Sequence, residues 1–321
     1  MKKITVLVPA YNEAGNLPLL VEELNRMAEQ TAPQGPESAV PADYEWEYLF
    51  VNDGSTDNTL EILRLMRKSC PRVNIVNLSR NFGKENAMLA GMDYATGDAV
   101  VIMDADLQHP VSAIPQMIFK WEQGFDDVYG IRRQRGKELW LRKKLSLLFY
   151  DMLQGTTRIE ILKNVGDFRL LDRRVVNAIR SLRETQRYTK GLYCWVGYNK
   201  TGVCFDQADR KQGKSSFRLH GLVNLAVEAI TCFTTAPLRI STLLGFFVSI
   251  AAIAYMVFVL IKTIFWGESV QGFPTLLCVI LFLGGTQLIA IGIIGEYIAR
   301  IFNETKQRPP YVVESHNETK K

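Results

Sequence analysis

Two charge-free runs constrain this chain more than any other feature. Residues 240 to 261 (ISTLLGFFVSIAAIAYMVFVLI) and 275 to 295 (TLLCVILFLGGTQLIAIGIIG) contain no Asp, Glu, Lys or Arg. About 20 helical residues cross a hydrocarbon core of roughly 30 Å, so each run is long enough to span one. A buried helix of a soluble protein is a poor account of two such runs side by side with polar clusters at their ends. The 321 residues are therefore expected to divide into a soluble part over 1–216, a membrane hairpin over 239–300 and a tail over 301–321. The connector from Thr263 to Pro274 holds Glu268 and no Lys or Arg, whereas Arg218, Arg239, Arg300, Lys306 and Arg308 lie outside the pair. That asymmetry puts both termini and the soluble part in the cytoplasm, with Lys262 as a mild dissent. Met1-Lys2-Lys3 leads directly into an apolar run without a signal-peptide pattern. Ser241, Gly245 and Ser249 recur every four residues, a spacing that lets helices approach closely.

Composition removes several other classes. With 47% hydrophobic and 22% charged residues the chain is not broadly disordered. Five scattered Cys, no C-x-x-C pair and only three His disfavour a zinc module and a disulfide framework. Unpaired thiols suit a reducing compartment.

The soluble part alternates short apolar runs with helical patterns. Ile4–Pro9, Trp46–Asn52, Val73–Leu78, Ala99–Asp104 and Asp127–Gly130 read as strands. The segments from Gly15, Asp57, Lys84 and Val111 read as the helices between them, and Pro-rich 31–44 reads as a loop. This alternation predicts an α/β domain with a parallel sheet covered on both faces, which binds ligands at the carboxyl ends of its strands. The polar clusters fall at those ends: Pro9-Ala-Tyr-Asn-Glu13, Asp53-Gly-Ser-Thr-Asp57, Ser79-Arg-Asn-Phe-Gly-Lys84 and Asp104-Ala-Asp106-Leu-Gln108. Four on one edge point to a nucleotide site, although Asp57 or Thr56 could simply cap the following helix. No G-x-G-x-x-G is present, and the Gly213-Lys214-Ser215 run fails as a P-loop because Ala208 occupies the first glycine position. Asp104 and Asp106, one residue apart in an extended segment, can point to a common ion, with Gln108 adding an oxygen. Hard oxygen ligands suit Mg²⁺ or Mn²⁺ shared with substrate phosphates.

Residues 131 to 144 (IRRQRGKELWLRKK) carry seven basic residues and one acid, and open a helical pattern over about 138–154 with Leu141, Leu145, Leu148 and Met152 on one face. A second amphipathic pattern fills 217–238. Basic amphipathic helices suit a membrane surface. Nucleic acid is disfavoured because stacking aromatics and an extended basic face are missing. Arg132, Arg135 and Arg142 are candidates to hold a lipid-borne phosphate, since guanidinium matches phosphate oxygens bidentately.

Together these motifs resemble the polyprenyl-phosphate glycosyltransferases of glycosyltransferase family 2. The residues are PAYNE at 9–13, VNDGSTDNT at 51–59, SRNFGKE at 79–85, MDADLQHP at 103–110, NVGDFRLLDRRVV at 164–176, KGLYCWVG at 190–197, RKQGKSSF at 210–217, LFLGGTQLIAIGIIGEYIARI at 281–301 and RPPYVV at 308–313. Within the family the chain is most similar to the bactoprenol glucosyltransferases, and it also resembles the dolichyl-phosphate mannosyltransferases. The resemblance implies a Rossmann-like GT-A domain with amphipathic juxtamembrane helices and two C-terminal transmembrane helices in a bacterial inner membrane. It implies inverting transfer of a sugar, glucose from UDP-glucose, to undecaprenyl phosphate for O-antigen modification. Donors with mannose, galactose, N-acetylglucosamine or aminoarabinose are the alternatives.

By the same resemblance, Pro9, Tyr11, Glu13, Asp53, Lys84, Asp104, Arg210 and Lys214 bind the nucleotide-sugar. Asp104, Asp106 and Gln108 hold Mg²⁺ or Mn²⁺, and Arg132, Arg135, Arg142 and Ser146 face the acceptor phosphate. Asp106 and Asp167 are the catalytic candidates. Asp167 would act as a base, hold a sugar hydroxyl or orient Arg169. A homotetramer and a downstream flippase are also implied. A phosphate monoester has its second pKa near about 6, so the acceptor is mostly dianionic at neutral pH and leaves a base little to do. A processive synthase is disfavoured, because Gln186-Arg187-Tyr188 departs from Q-x-x-R-W and two spans cannot enclose a polysaccharide. A non-catalytic nucleotide-sugar sensor would not need Asp104, Asp106 and Asp167 together.

Overall fold

The computed structural model describes residues 1–29, 44–133, 165–185, 187–206, 236–266, 272–317 and 319–320. In chain order the elements are β1 (Lys2–Ala10), α1 (Leu17–Glu29), β2 (Tyr44–Asn52), α2 (Thr59–Ser69), β3 (Val73–Leu78), α3 (Lys84–Tyr94) and β4 (Ala99–Ile102). A 3-10 turn at Val111–Ala113 leads into α4 (Ile114–Glu122), then β5 (Asp127–Arg132), β6 (Val165–Asp172), α5 (Arg173–Ser181), α6 (Thr189–Trp195) and β7 (Lys200–Phe205). Two long helices follow, α7 (Ala236–Trp266) and α8 (Phe273–Thr305), and then the short strands β8 (Val313–His316) and β9 (Thr319–Lys320). The chain divides into two compact units, Met1–Leu222 with Pro309–Lys321, and Val223–Arg308.

The first unit is built on one sheet of order β7-β5-β6-β4-β1-β2-β3-β8-β9. Strand β1 pairs in parallel with β2 and β4, and β2 with β3, as the alternation of elements predicts. The sheet is nevertheless mixed, not parallel. Strand β6 inserts antiparallel between β4 and β5, and β8 runs antiparallel to β3. Strand β6 then turns straight into α5. Asp172 caps that helix by accepting from the Arg174 N–H.

Period-2 alternation sorts β1 between two cores. Ile4, Val6, Val8 and Ala10 join α1, α2 and α4 on one face, while Leu7 joins α3, α5 and Tyr193 of α6 on the other. Helix α3 is buried over most of its surface, from Ala87 to Met92. Its Gly91 sits so close to β1 that a Cβ there would lie 2.0 Å from Leu7 Cδ1. Any larger residue would push α3, and the loop that precedes it, off the sheet.

The segment set apart as a tail is corrected. Helix α8 continues to Thr305, and the chain then re-enters the first unit, where Val313–His316 extends the sheet beside β3. The unpaired edge of β3 needed covering, and β8 does so.

In the second unit α7 and α8 have 31 and 33 residues, about 46 and 50 Å at roughly 1.5 Å per residue. They pack against each other. Among the described residues one stretch, Phe282–Thr305, is long and apolar enough to cross a membrane, with mean hydropathy 1.4 and none of it buried; Ser241–Tyr255 is a shorter apolar stretch.

Candidate active site

The loops after β1, β2 and β3 brace one another through backbone-directed side chains. Asn12 takes a left-handed φ of 57°, which Asn tolerates better than most residues. Its N–H donates to Ser55 Oγ at 3.0 Å, and its Oδ1 accepts from the Thr56 N–H at 2.8 Å. The Glu13 N–H donates to Thr59 Oγ1 at 2.9 Å. Asp57 accepts from the Thr59 N–H at 3.0 Å and the Ala14 N–H at 3.4 Å, so its carboxylate serves the helix start. Gly54 has φ 63°, and a Cβ on it would lie 2.4 Å from the Arg80 carbonyl carbon. Only glycine lets the second and third loops meet this closely.

Asp53 is buried and fully engaged. Its Oδ1 accepts from the Phe82 N–H at 2.7 Å and its Oδ2 from the Gly83 N–H at 2.9 Å. Burial pushes its pKa up; those two amides, with Arg80, only partly offset this. The carboxylate therefore holds the turn that starts α3 and aims Lys84. Tyr11 stands 45% exposed beside this mesh, open to stack on a planar ligand.

The edge at β4 and β6 is different in kind. Ile102 faces Arg169 across the antiparallel pair. Two residues further, that register brings Asp104 level with Asp167. Lys84 Nζ lies 2.6 Å from Asp104 Oδ1 and 2.9 Å from Asp167 Oδ2, closing a carboxylate–ammonium–carboxylate bridge. Burial would lower the Lys84 pKa, but the charges of Asp167 and Asp104 outweigh it and raise the pKa well above the ordinary lysine value. Burial likewise raises the Asp167 pKa, and Lys84 and Lys190 reverse that, bringing it to about 2. Asp167 is thus an anion throughout the physiological range and a very weak base. Its Oδ1 is buried with no hydrogen-bond partner among the described residues. An acceptor atom in that state costs free energy until a donor reaches it, which makes it a ready partner for a ligand hydroxyl.

The turn after Asp104 is tightly folded. Leu107 has φ 60°, an uncommon conformation for a branched residue. The Gln108 N–H donates to Asp106 Oδ1 at 3.2 Å. His109 is a site residue that the sequence reading passed over, although it directly follows Gln108. It is buried, stacks on Phe168 with ring centroids 4.8 Å apart, and its Nδ1 accepts from the Asp104 N–H at 3.2 Å. Burial lowers its pKa against the opposing charges of Asp104 and Asp106, and an Nδ1 that accepts leaves the ring proton on Nε2. His109 thereby fixes the direction in which Asp104 leaves the sheet. Arg132, at the end of β5, lies on the same edge; a Cβ on Gly166 would sit 3.7 Å from its Nη2.

Arg169 does not pair with Asp167. Its Nη1 lies 2.9 Å from Asp127 Oδ2, with both side chains almost completely buried, and its guanidinium carbon lies 3.7 Å from the centre of the Tyr193 ring. Burial raises the Asp127 pKa and Arg169 partly offsets it. Glu85 accepts from the Thr189 N–H and hydroxyl, which ties α6 to the start of α3. Neither Glu85 nor Thr189 belongs to a cluster of candidate ligands, so only the folded chain reveals their link.

The structure thus gathers Lys84, Asp104, Asp106, Gln108, Arg132 and Asp167 on one side of the sheet edge, and Pro9, Tyr11, Glu13 and Asp53 on the other. Arg135, Arg142, Ser146, Arg210 and Lys214 lie outside the described residues, as do the interfacial helix expected over 138–154 and nearly all of that expected over 217–238. Among the described residues no three His, Cys, Asp or Glu side chains cluster closely enough to hold a metal unaided. Asp104 and Asp106 still offer hard oxygens at a strand end, the donor set that binds Mg²⁺ or Mn²⁺ when substrate phosphates complete the shell.

A Rossmann-like domain whose strand ends carry interlocked loops beside a pair of aspartates fits the GT-A fold that the resemblance implied. The chain belongs to glycosyltransferase family 2: residues 5–180 match the family model described as glycosyl transferase family 2, and residues 236–301 match one described as the GtrB C-terminal hairpin. A glycosyltransferase of Synechocystis is 44% identical over 97% of this chain and 94% of its own length. The bactoprenol glucosyl transferase of Shigella phage SfX is 42% identical over 98% and 99%. The prophage bactoprenol glucosyl transferase homolog of Escherichia coli is 40% identical over 97% and 98%.

Proposed function

We propose that this enzyme transfers glucose from UDP-glucose to undecaprenyl phosphate at the cytoplasmic face of a bacterial inner membrane, with inversion at the anomeric carbon. The observation that carries the reading is the near-full-length match to bactoprenol glucosyl transferases, which takes in both the catalytic unit and the C-terminal hairpin. On this reading 239–300 crosses the membrane twice and returns the chain to the cytoplasm. The resemblance that suggests the donor also suggests a homotetramer and a flippase that carries the product across.

Tyr11 stacks on the base, and Pro9 and Glu13 frame the nucleoside. Asp53 acts through the loop it holds. Asp104 and Asp106, with the Gln108 amide, hold the divalent ion, which supplies charge neutralisation on the leaving diphosphate. Lys84 adds a fixed positive charge against the same diphosphate. Asp167 accepts a sugar hydroxyl at its unpartnered Oδ1 and so orients the anomeric carbon toward attack. It does not remove a proton: with a pKa of about 2 it would be a poor base, and the acceptor phosphate, with a second pKa of about 6, is already deprotonated. Arg132 stands on the acceptor side, where a cation between two anionic substrates lowers their repulsion. Arg135, Arg142 and Ser146 are assigned to the acceptor, and Arg210 and Lys214 to the diphosphate, on the resemblance.

The test is to incubate the purified protein with undecaprenyl phosphate, Mg²⁺ or Mn²⁺ and a panel of labelled UDP- and GDP-sugars, and to count label in the organic phase. Label from UDP-glucose alone is expected. Label from another donor would replace the sugar and keep the reaction. No lipid label from any donor would overturn the transferase assignment and favour a nucleotide-sugar sensor.

A further inference from the structure

A chain of buried amides joins β8 to the loop assigned above to the nucleoside. It begins at an irregularity. Strand β8 pairs His316 with Val76 and Ser315 with Asn77, but the next pair is Val313 with Leu78, so Glu314 is the extra residue of a β-bulge. In a regular strand Glu314 would point away from the face that carries Ser315 and Asn77. Bulges re-aim side chains, and here Glu314 Oε2 accepts from Asn77 Nδ2 at 2.7 Å. Asn77 and Asn52 sit directly opposite each other in the β2–β3 register and are almost completely buried. Asn52 Nδ2 donates to Asn77 Oδ1 at 2.7 Å, and Asn52 Oδ1 accepts from the Ser55 N–H at 3.3 Å. Ser55 Oγ then accepts from the Asn12 N–H, between Tyr11 and Glu13.

The two ends of this chain dictate its polarity. A carboxylate accepts and does not donate, and a backbone N–H donates and does not accept. Asn77 must therefore turn its NH₂ toward Glu314 and its oxygen toward Asn52. Asn52 in turn must present its oxygen to Ser55. Without the carboxylate, Asn77 NH₂ loses its acceptor and only the Ser55 N–H is left to select the orientation; the flipped arrangement would set Asn52 NH₂ against that N–H, two donors face to face.

We infer that Glu314, on β8, is a positioning residue for donor binding, acting through Asn77, Asn52 and Ser55 on the Tyr11–Glu13 loop. This rests on the reading of that loop as the nucleoside site. It also gives a reason for the chain to return to the sheet after α8, beyond covering an edge.

Strand docking and the amide chain can be separated, because Asn317 docks β8 at its other end. Asn317 Oδ1 accepts from the Ile75 N–H at 2.9 Å and takes no part in the amide chain. Full-length wild type, Glu314→Ala, Glu314→Gln and Asn317→Ala would be compared for UDP binding by calorimetry and for kcat and KM of donor and lipid acceptor. Glu314→Ala is expected to weaken UDP binding and raise the donor KM about five- to tenfold, with kcat and the acceptor KM within about twofold. Glu314→Gln keeps an acceptor oxygen and should recover most of the loss. Asn317→Ala should lower the melting temperature and leave the donor KM within about twofold. An unchanged donor KM in Glu314→Ala, or an equal rise in Asn317→Ala, would overturn the inference. A wild type that binds neither UDP nor GDP would instead overturn the nucleoside-loop reading, and the inference with it.

Discussion

The two halves of the sheet edge spend their carboxylates in opposite ways. On the β1–β2–β3 side, Asp53 and Asp57 are consumed by the protein's own amides, accepting from Phe82, Gly83, Thr59 and Ala14. On the β4–β6 side, Asp104 and Asp167 share a single lysine, and one buried oxygen of Asp167 waits for a donor. The first half is a rigid mould, satisfied before any ligand arrives. The second is an electrostatic site held in tension, with negative charge gathered where the leaving diphosphate and its cation are proposed to sit. A motif aspartate can therefore serve structure or chemistry, and its hydrogen-bond partners distinguish the two.

The sharpest test of this contrast is Asp106→Asn. It should reduce lipid-linked sugar formation by about 10³-fold or more while the melting temperature barely moves. Retention of a tenth of wild-type turnover would erase the distinction between the halves. Asp167→Asn should follow at about 10²-fold in kcat, with the UDP dissociation constant nearly unchanged, because it removes an interaction with the sugar and not with the nucleotide. Turnover near the wild-type level would remove Asp167 from the chemistry.

On the mould side the expected loss is stability. Asp53→Ala strands two loop amides and should cost about 2 kcal/mol, read as a lower denaturation midpoint and a raised donor KM. Loss of kcat alone, with the midpoint intact, would move Asp53 across to the chemical half.

The pH dependence offers a finer test. Asp167 has its folded pKa depressed to about 2, so its stabilising contribution is present above the ordinary carboxylate pKa and fades only as pH falls toward 2. The acid limb of kcat should therefore lie near about 6, where the acceptor phosphate protonates, and Lys84→Met should raise the Asp167 pKa. The smallest effect is expected for Tyr193→Phe. The Tyr193 hydroxyl is buried with no partner among the described residues, so its removal should change stability by less than about 1 kcal/mol in a melting experiment.

Much of this edge was legible in the sequence. The ends of β1 to β4 and the polar clusters after them follow from local alternation and turn residues, and the positions of Tyr11, Asp53, Lys84 and Asp104 along the edge follow with them. Strand β6 was not legible as a strand. Val165–Asp172 mixes Asp167 and Arg169 with apolar residues, and a charge inside a buried strand makes sense only once Asp127, on a neighbouring strand, is there to pair with it. Strand β8 is four residues of mostly polar sequence beyond a long apolar helix, with nothing local to announce a partner 237 positions away, as in the Asn77–Glu314 contact.

By itself the sequence determined what depends on neighbours along the chain: the two charge-free apolar runs, the alternation of the α/β domain, and the residue types at each strand end. The tertiary structure alone decided the order and direction of the outer strands, the lysine between Asp104 and Asp167, and the use of Asp53 as a brace. The physical reason is that periodicity and turn chemistry act over a few residues. Charge pairing, burial and amide orientation instead depend on groups that only the finished fold brings within hydrogen-bonding distance.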